Sequence, residues 1–383
     1  MKIIMTVSNP FKPDPRVYKE AKSLVKAGHE VYVIAWDREG RYPEEEKIEG
    51  FSVIRLGPKA EYGPLMALKL PFFYLKAFRA ILKLNPSVIH THDFDTAFLG
   101  FSIKYLKKKR WIYDVHDLYH TFFGIEGSTS FFSRLLSKIV EVIDLLFAKH
   151  SDHLIVATQS IGGKHEGLRE HYIQRDIAPE KITTIWNVPI LEEFFGYKDA
   201  SKKREKFVIG FIGTVRTISN FIPLFEAVKG LKFPAKILFV GDGKSLNNLK
   251  RIVIRDHPEL DIEFAGSAAY QEVAKYYKMC NVIYSFYPPR ENVRRAIAIK
   301  VFEAAVMGVP IIVNADSLME DFVREYKCGI AIKRLTPCHL KKALEFIESK
   351  ELKFSPSRII KKWNWKNEEK KLVRIYEQSL NTH

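Results

Sequence analysis

The chain reads as an α/β protein built from two doubly wound parallel sheets. Three observations carry that reading. β-branched apolar runs alternate with amphipathic helical patterns from end to end. One short polar, charged stretch, Lys198 to Lys206, interrupts the alternation. A length of 383 residues suits two domains, and 46% hydrophobic residues suffice for a core in each.

In the first half, the strand Lys2 to Ser8 leads through a Pro-rich loop to a helix over Pro15 to Lys26. Gly28-His29-Glu30 then turns into the strand Val31 to Ala35. Further strands are expected at Phe51 to Leu56, Ser87 to His90, Trp111 to Tyr113, His153 to Ala157 and Lys181 to Ile185. Helical patterns fill the gaps, the longest being Leu65 to Leu84 and Phe131 to Ala148. Asp93-Phe94-Asp95 has the spacing of an Asp-x-Asp metal motif, but before a helix starting near Thr96 it reads better as a cap. The basic run Lys107 to Arg110 ends a helix, where cations suit the dipole.

The second series opens with the strand Phe207 to Ile212 and a helix over Ile222 to Lys229. Lys236 to Val240 runs into Gly241-Asp242-Gly243, a strand-to-helix turn, and Ile262 to Gly266 and Val282 to Tyr284 follow as strands. Ala296 to Met307 reads as one helix, apolar on nearly every face, ended by Gly308; Pro310 opens a buried strand. Only Lys300 and Glu303 break that surface. They lie three residues apart and so on one side, either as a half-exposed ion pair or as ligands to something polar. Phosphate at the helix N-terminus and hydroxyls at the carboxylate would satisfy them. A strand at Gly329 to Ile332, a helix over Pro337 to Ile347 and an amphipathic helix from Trp363 close the chain.

Composition bounds the partners. No run reaches the eighteen or so apolar residues of a membrane span, and Lys2 to Val7 looks like a strand rather than a secretory signal. Cys280, Cys328 and Cys338 lack metal-ligand spacing and suit a reducing, cytoplasmic setting. The net charge of +16 points to anionic partners, with most of the excess in the second half. No aromatic-plus-basic module marks nucleic-acid binding. Fold and charge alone leave transferase, epimerase and sugar-binding protein open.

Motifs in six regions, taken in order, resemble those of the retaining glycosyltransferases of family four. DPRVYKEAKSLVKAGHEVYVIAWDREG, HTHDFDTAFLGFSIKYL and RWIYDVHDLY are similar to the first domain of one branch, and Asn187-Val188-Pro189 to its end. FIGTVR and VGDG resemble the nucleotide domain's first two strands. Lys300-x-x-Glu303 with Gly308-Val309-Pro310 resembles the donor-site helix, and WNWKNEEKKLVRIYEQ the last helix. The resemblance implies the GT-B fold, two Rossmann-like domains facing across a cleft. It divides the chain into an acceptor-side domain at 1–195 and a nucleotide-sugar domain at 196–364, with a helix from about 365 to 383 crossing back.

It also implies roles. Glu303 would accept the donor's ribose hydroxyls, Arg216 would hold its diphosphate and His116 would face the sugar; Asp14 and Arg16 would lie on the acceptor side. Arg295 stands where the family often has a glutamate, and Phe221 where it often has a lysine; Lys300 would then supply the missing phosphate contact. The implied catalytic residues are His116, Arg216 and Lys300. The implied donor-binding set is Glu303, Arg216, Lys300, Gly213, Arg295 and Ala298. The expected activity is retaining transfer from a UDP- or GDP-sugar to a sugar, lipid-linked or other hydroxyl acceptor, with no metal or other cofactor. A non-catalytic sugar-nucleotide binder or an epimerase is the alternative. Leu65 to Leu84, Phe122-Phe123 and Phe131-Phe132 combine aromatics with cations, so peripheral contact with an anionic membrane is a further expectation.

Overall fold

The computed structural model describes residues 1–378 except 13, 61–65, 125–130, 196–204, 289, 350 and 351. Two compact units make up the chain. The first comprises Met1–Gln159, Leu168–Trp186 and the residues from Lys366 onward; the second comprises Ser160–Gly167 and Asn187–Trp365. Each is a Rossmann-like α/β domain. Most of the expected linker, at 198–206, lies outside the described residues, as does Leu65.

The first unit holds an eight-stranded sheet in the order β3-β4-β2-β1-β5-β6-β7-β8. Its strands are β1 (Lys2–Val7), β2 (Glu30–Trp36), β3 (Glu45–Ile48), β4 (Phe51–Leu56), β5 (Val88–His92), β6 (Arg110–Val115), β7 (His153–Val156) and β8 (Ile182–Thr184). All pairings are parallel except β3 with β4. The central strands β5 and β7 are buried at every position, because helices cover both faces and alternation has no solvent side to mark. The antiparallel edge strand β3 was not expected from the sequence. Its residues, Glu-Glu-Lys-Ile, are charged and half-exposed, which suits an edge and carries no apolar signal.

The second unit holds six parallel strands in the order β11-β10-β9-β12-β13-β14. These are β9 (Phe207–Ile212), β10 (Ala235–Val240), β11 (Ile262–Phe264), β12 (Val282–Ser285), β13 (Ile311–Asn314) and β14 (Gly329–Ile332). Phe211, Phe221, Phe225, Phe239 and Tyr284 fill one side of this sheet.

Three helix boundaries differ from the sequence reading. The helix after β5 starts at Phe94 rather than near Thr96. The last helix, expected from Trp363, spans Trp365–Gln378 and follows a short helix at Pro356–Lys362 that the sequence reading did not include. The helix expected over Ala296 to Met307 spans only Ile299–Val306, and a separate short helix, Glu291–Arg295, precedes it across extended backbone at Ala296 and Ala298. No glycine or proline marks that break, so apolar periodicity runs straight through it. Gly308 does end the second helix as read, in the left-handed conformation at φ 73°.

Candidate functional site

The donor-type residues of the second unit converge on the loop that follows β9. Gly213 has φ 137°, a backbone region open in practice only to glycine, and its N–H donates to the Val240 carbonyl at 2.8 Å. The loop then lies against the turn after β10: Val215 N–H donates to the Asp242 carbonyl at 2.8 Å, and Ser245 Oγ to the Arg216 carbonyl at 2.8 Å. A Cβ on Gly241 would sit 2.2 Å from the Gly213 carbonyl oxygen, so two glycines meet where two strands end. This packing anchors the main chain of Arg216 and leaves its side chain exposed.

Lys300 enters from the facing helix. It is the second residue of Ile299–Val306 and only 6% exposed. Its ammonium rests 3.9 Å from the ring centre of Phe211 and 5.5 Å from that of Tyr287, and a Cβ on Gly213 would approach it to 3.0 Å. Ala298, at the N-cap, has no side chain able to cap the helix. A buried cation, a helix N-terminus and a glycine without a side chain thus enclose one spot, and all three favour an anion there. One turn on, Glu303 is 3% exposed and accepts the Tyr277 hydroxyl at 2.5 Å. Burial and the nearby Glu303 charge push the Tyr277 phenol well above its usual range, so it stays a donor.

Phe221 is a core residue, 2% exposed, with its ring edge-on to Phe211 at 4.8 Å and to Phe239 at 5.1 Å. Arg295 is held within the unit: it pairs with Glu291 and Glu166, each at 3.3 Å, and donates to the Gly167 carbonyl at 3.2 Å. Elsewhere in this unit, a cavity of about 580 Å³ is lined by Gly162, His165, Asp316, Asp321 and Arg324 among others. Within it His165 pairs with Asp321 at 3.0 Å and Arg324 with Glu320 at 2.6 Å.

The first unit gathers its polar residues around Asp114, at the end of β6. Arg16 grips this carboxylate in bidentate fashion, Nη2 to Oδ1 at 2.8 Å and Nε to Oδ2 at 3.0 Å, and donates to the Ile185 carbonyl at 2.7 Å. His92 Nδ1 lies 3.1 Å and His116 Nε2 3.0 Å from Asp114 Oδ2. The other ring nitrogen of His116, Nδ1, is 3.1 Å from Asp93 Oδ2, and the His116 N–H donates to Asp93 Oδ1 at 2.8 Å. Burial alone would lower the His116 pKa, but Asp93 and Asp114 outweigh it and raise it well above the usual histidine value. His116 is therefore an imidazolium. Burial opposes ionisation of Asp114 as well, and Arg16 and His116 overcome it. Glu20, fully buried 3.2 Å from Arg16, is pushed the other way, up to about 8, by burial and by Asp114.

These contacts revise one expectation, that Asp93 caps the helix after β5. Arg16 is 3% exposed and engaged with Asp114, a buried strut. Asp14 caps its own helix, accepting from Val17 N–H at 3.2 Å and from Asn9 Nδ2 at 2.7 Å. Asp93 occupies the N-cap position of Phe94–Lys107, but its carboxylate caps nothing and turns to His116 instead. Asp95 accepts from Ser8 and from Tyr119, the latter at 2.8 Å, so the two carboxylates have separate partners. Sequence reasoning missed Asp114, Glu20, His90, Tyr277 and Tyr376. His90 and His92, alternate residues of one strand, share a face, which is the signal that could have drawn attention to them.

Comparison with known proteins follows the same division. Residues 16–188 match the model of Glycosyltransferase Family 4, and residues 196–365 that of Glycosyl transferases group 1. Over 326 residues the chain is 24% identical to an alpha-monoglucosyldiacylglycerol synthase of Acholeplasma laidlawii, covering 81% of this chain and 78% of that one. Over 383 residues it is 23% identical to an uncharacterized glycosyltransferase of Methanocaldococcus jannaschii, covering 94% and 92%. Among solved structures, sucrose-phosphate synthase of Thermosynechococcus elongatus superimposes with a TM-score of 0.77 at 16% identity, over all of both chains. Anabaena HepE, solved with UDP and glucose, gives 0.71 at 12% identity, again over all of both chains.

Proposed function

The chain belongs to the group 1 glycosyltransferases of family four, and from that membership we propose that it moves a sugar from a UDP- or GDP-sugar to a hydroxyl acceptor with retention of anomeric configuration. One observation carries this reading. Lys300 is buried beside two rings and the open face of Gly213, at a helix N-terminus that no side chain caps. A diphosphate there would meet a desolvated cation and free backbone dipoles, and Arg216 could fold over it from the exposed side. Glu303, one turn along the same helix, is suited to accept ribose hydroxyls. That HepE was solved with UDP and glucose supports the donor class.

As the leaving diphosphate gathers charge, Lys300, Arg216 and the helix dipole stabilise it without a metal ion. Both ring nitrogens of His116 face carboxylates, so it acts as a fixed positive charge and donor rather than as a proton acceptor. The acceptor hydroxyl's proton passes to the leaving phosphate as the new bond forms on the same sugar face. Mixing the protein with UDP- and GDP-sugars and following nucleotide diphosphate release tests the reading. Donor cleavage dependent on a hydroxyl acceptor is expected; inversion at the anomeric carbon would overturn the stereochemical part.

For the acceptor we infer a glycan or lipid presented at an anionic membrane, with the enzyme peripheral on the cytoplasmic face. The support is a surface of the first unit. The helices Met66–Leu84, Phe94–Lys107 and Phe131–His150 are joined side by side through Tyr74 with Phe98 and Phe101 with Phe147. They expose Leu68, Phe72, Phe98, Leu106, Phe131 and Phe132. Met66–Leu84 contains four cations and no acid. Such a face suits acidic headgroups. The similarity to a monoglucosyldiacylglycerol synthase favours a lipid acceptor. Flotation with anionic liposomes should carry the protein upward in low salt; no salt-sensitive co-migration would exclude the membrane part.

A further inference from the structure

We propose that Tyr376, on the last helix, is a positioning residue for His116: its hydroxyl fixes which ring nitrogen of His90 carries the proton, and so completes the donor set facing Asp114. The inference rests on the reading that His116 serves the transfer reaction. Tyr376 and His90 are both wholly buried, and the Tyr376 hydroxyl lies 2.7 Å from His90 Nδ1. The phenol keeps its proton, because burial and the charges of Glu20 and Asp114 hold it well above its usual range. His90 stays neutral, because burial and the neighbouring His92 hold it well below its usual range. A neutral imidazole that accepts at Nδ1 carries its hydrogen on Nε2.

That nitrogen points at two carboxyl groups, 3.8 Å from Oε2 of the protonated Glu20 and 3.9 Å from Oδ2 of the ionised Asp114. With the hydrogen there, the positive end of an N–H dipole faces the Asp114 carboxylate. The other tautomer would turn a lone pair on it. Asp114 Oδ2 already accepts from Arg16, His92 and His116, so a reversed dipole beside it changes the field at the His116 Nε2–H. The His90 ring cannot swing away, since it stacks on His92 at 4.3 Å and 27°. The helix that brings Tyr376 is seated by buried Leu372 and Ile375 and by Glu368, whose carboxylate takes the Trp186 N–H at 3.0 Å. Correct docking of this helix is thereby coupled to the state of an imidazolium three side chains away.

The test uses the full chain with ¹⁵N-labelled histidine. In the wild type, His90 should show a protonated Nε2 and an accepting Nδ1. Tyr376→Phe should mix the His90 tautomers, raise the apparent pKa of His116 by about half to one unit, and cut kcat roughly three- to tenfold, the size of one buried hydrogen bond. Donor KM, set in the other unit, should stay within about twofold. Ile375→Val, which trims the same helix without touching the hydroxyl, should lower Tm and leave the imidazole signals in place. Should Tyr376→Phe fail to fold, His90→Gln serves: its carbonyl accepts from Tyr376 while its amide faces the Asp114 carboxylate, so the His116 signal should hold, whereas His90→Phe should move it. Three results would overturn the proposal: a wild-type His90 protonated on Nδ1, a Tyr376→Phe protein with unchanged His116 signals and kcat, or a stoichiometric metal ion bound through His90 Nε2. Absence of turnover in the wild type with every donor would count against the transferase reading and leave the tautomer result standing.

Discussion

Tyr277 donates its hydroxyl to Glu303 at 2.5 Å, in the interior of the second unit, where neither side chain meets solvent. The bond engages Oε2 and fixes the carboxylate plane. Tyr277→Phe should therefore loosen Glu303 without removing it. A hydrogen bond to a charged group is worth about 1.5–3 kcal/mol, so donor KM should rise roughly tenfold with a smaller change in kcat. Steady-state kinetics with saturating acceptor would check this; a tenfold loss confined to kcat would mean that Glu303 does not hold the donor.

Gly213→Ala adds a methyl group 3.0 Å from the Lys300 ammonium at a backbone angle of φ 137°. Gly308→Ala imposes a comparable backbone penalty at φ 73°, but its nearest neighbour is Pro356 at 3.4 Å. Both should lower Tm, by about 1–3 kcal/mol of stability. Only Gly213→Ala should abolish the thermal protection given by UDP or GDP. Equal protection in the two variants would remove Gly213 from the anion site.

Glu20 makes the first unit sensitive to pH. Its folded pKa is raised from 4.5 to about 8, so the native state binds a proton that the unfolded chain releases. Stability from this group is fully present below about pH 4.5 and declines as the pH rises toward 8. His116, also raised, adds a loss of the same sign above its ordinary value near 6.5. Asp114, depressed, acts oppositely and only below 3.8. Glu20→Gln should flatten the Tm profile between pH 5 and 8, measured by calorimetry. An unchanged slope would place the proton elsewhere.

Turnover should survive EDTA, since Lys300, Arg216 and a helix dipole offer the leaving group its countercharge. A strict and reversible requirement for Mg²⁺ or Mn²⁺ would contradict this.

Much of the fold was legible because parallel strands between helices are long runs of Val and Ile, such as Val31 to Ala35 and Ile311 to Val313. The edge strand Glu45–Ile48 was not, since charged residues on an edge look like a loop. Lys300 and Glu303 stood out as the only charges on an apolar helix. Tyr277 did not, because a buried tyrosine reads as core until its hydroxyl is seen to have a partner. The same holds for Arg16: its exposure could not be judged from a Pro-rich loop, and its partner Asp114 is 98 residues away.

The most direct measurement is the affinity for UDP and GDP, by calorimetric titration, of the wild type, Lys300→Met, Arg216→Ala and Glu303→Gln. Removing a charge from a desolvated phosphate costs about 2–5 kcal/mol, so Lys300→Met and Arg216→Ala should each weaken the preferred nucleotide about thirtyfold or more. Glu303→Gln should weaken it less, through the ribose alone. Wild-type affinity in Lys300→Met and Arg216→Ala would mean that the diphosphate binds somewhere other than the loop after β9.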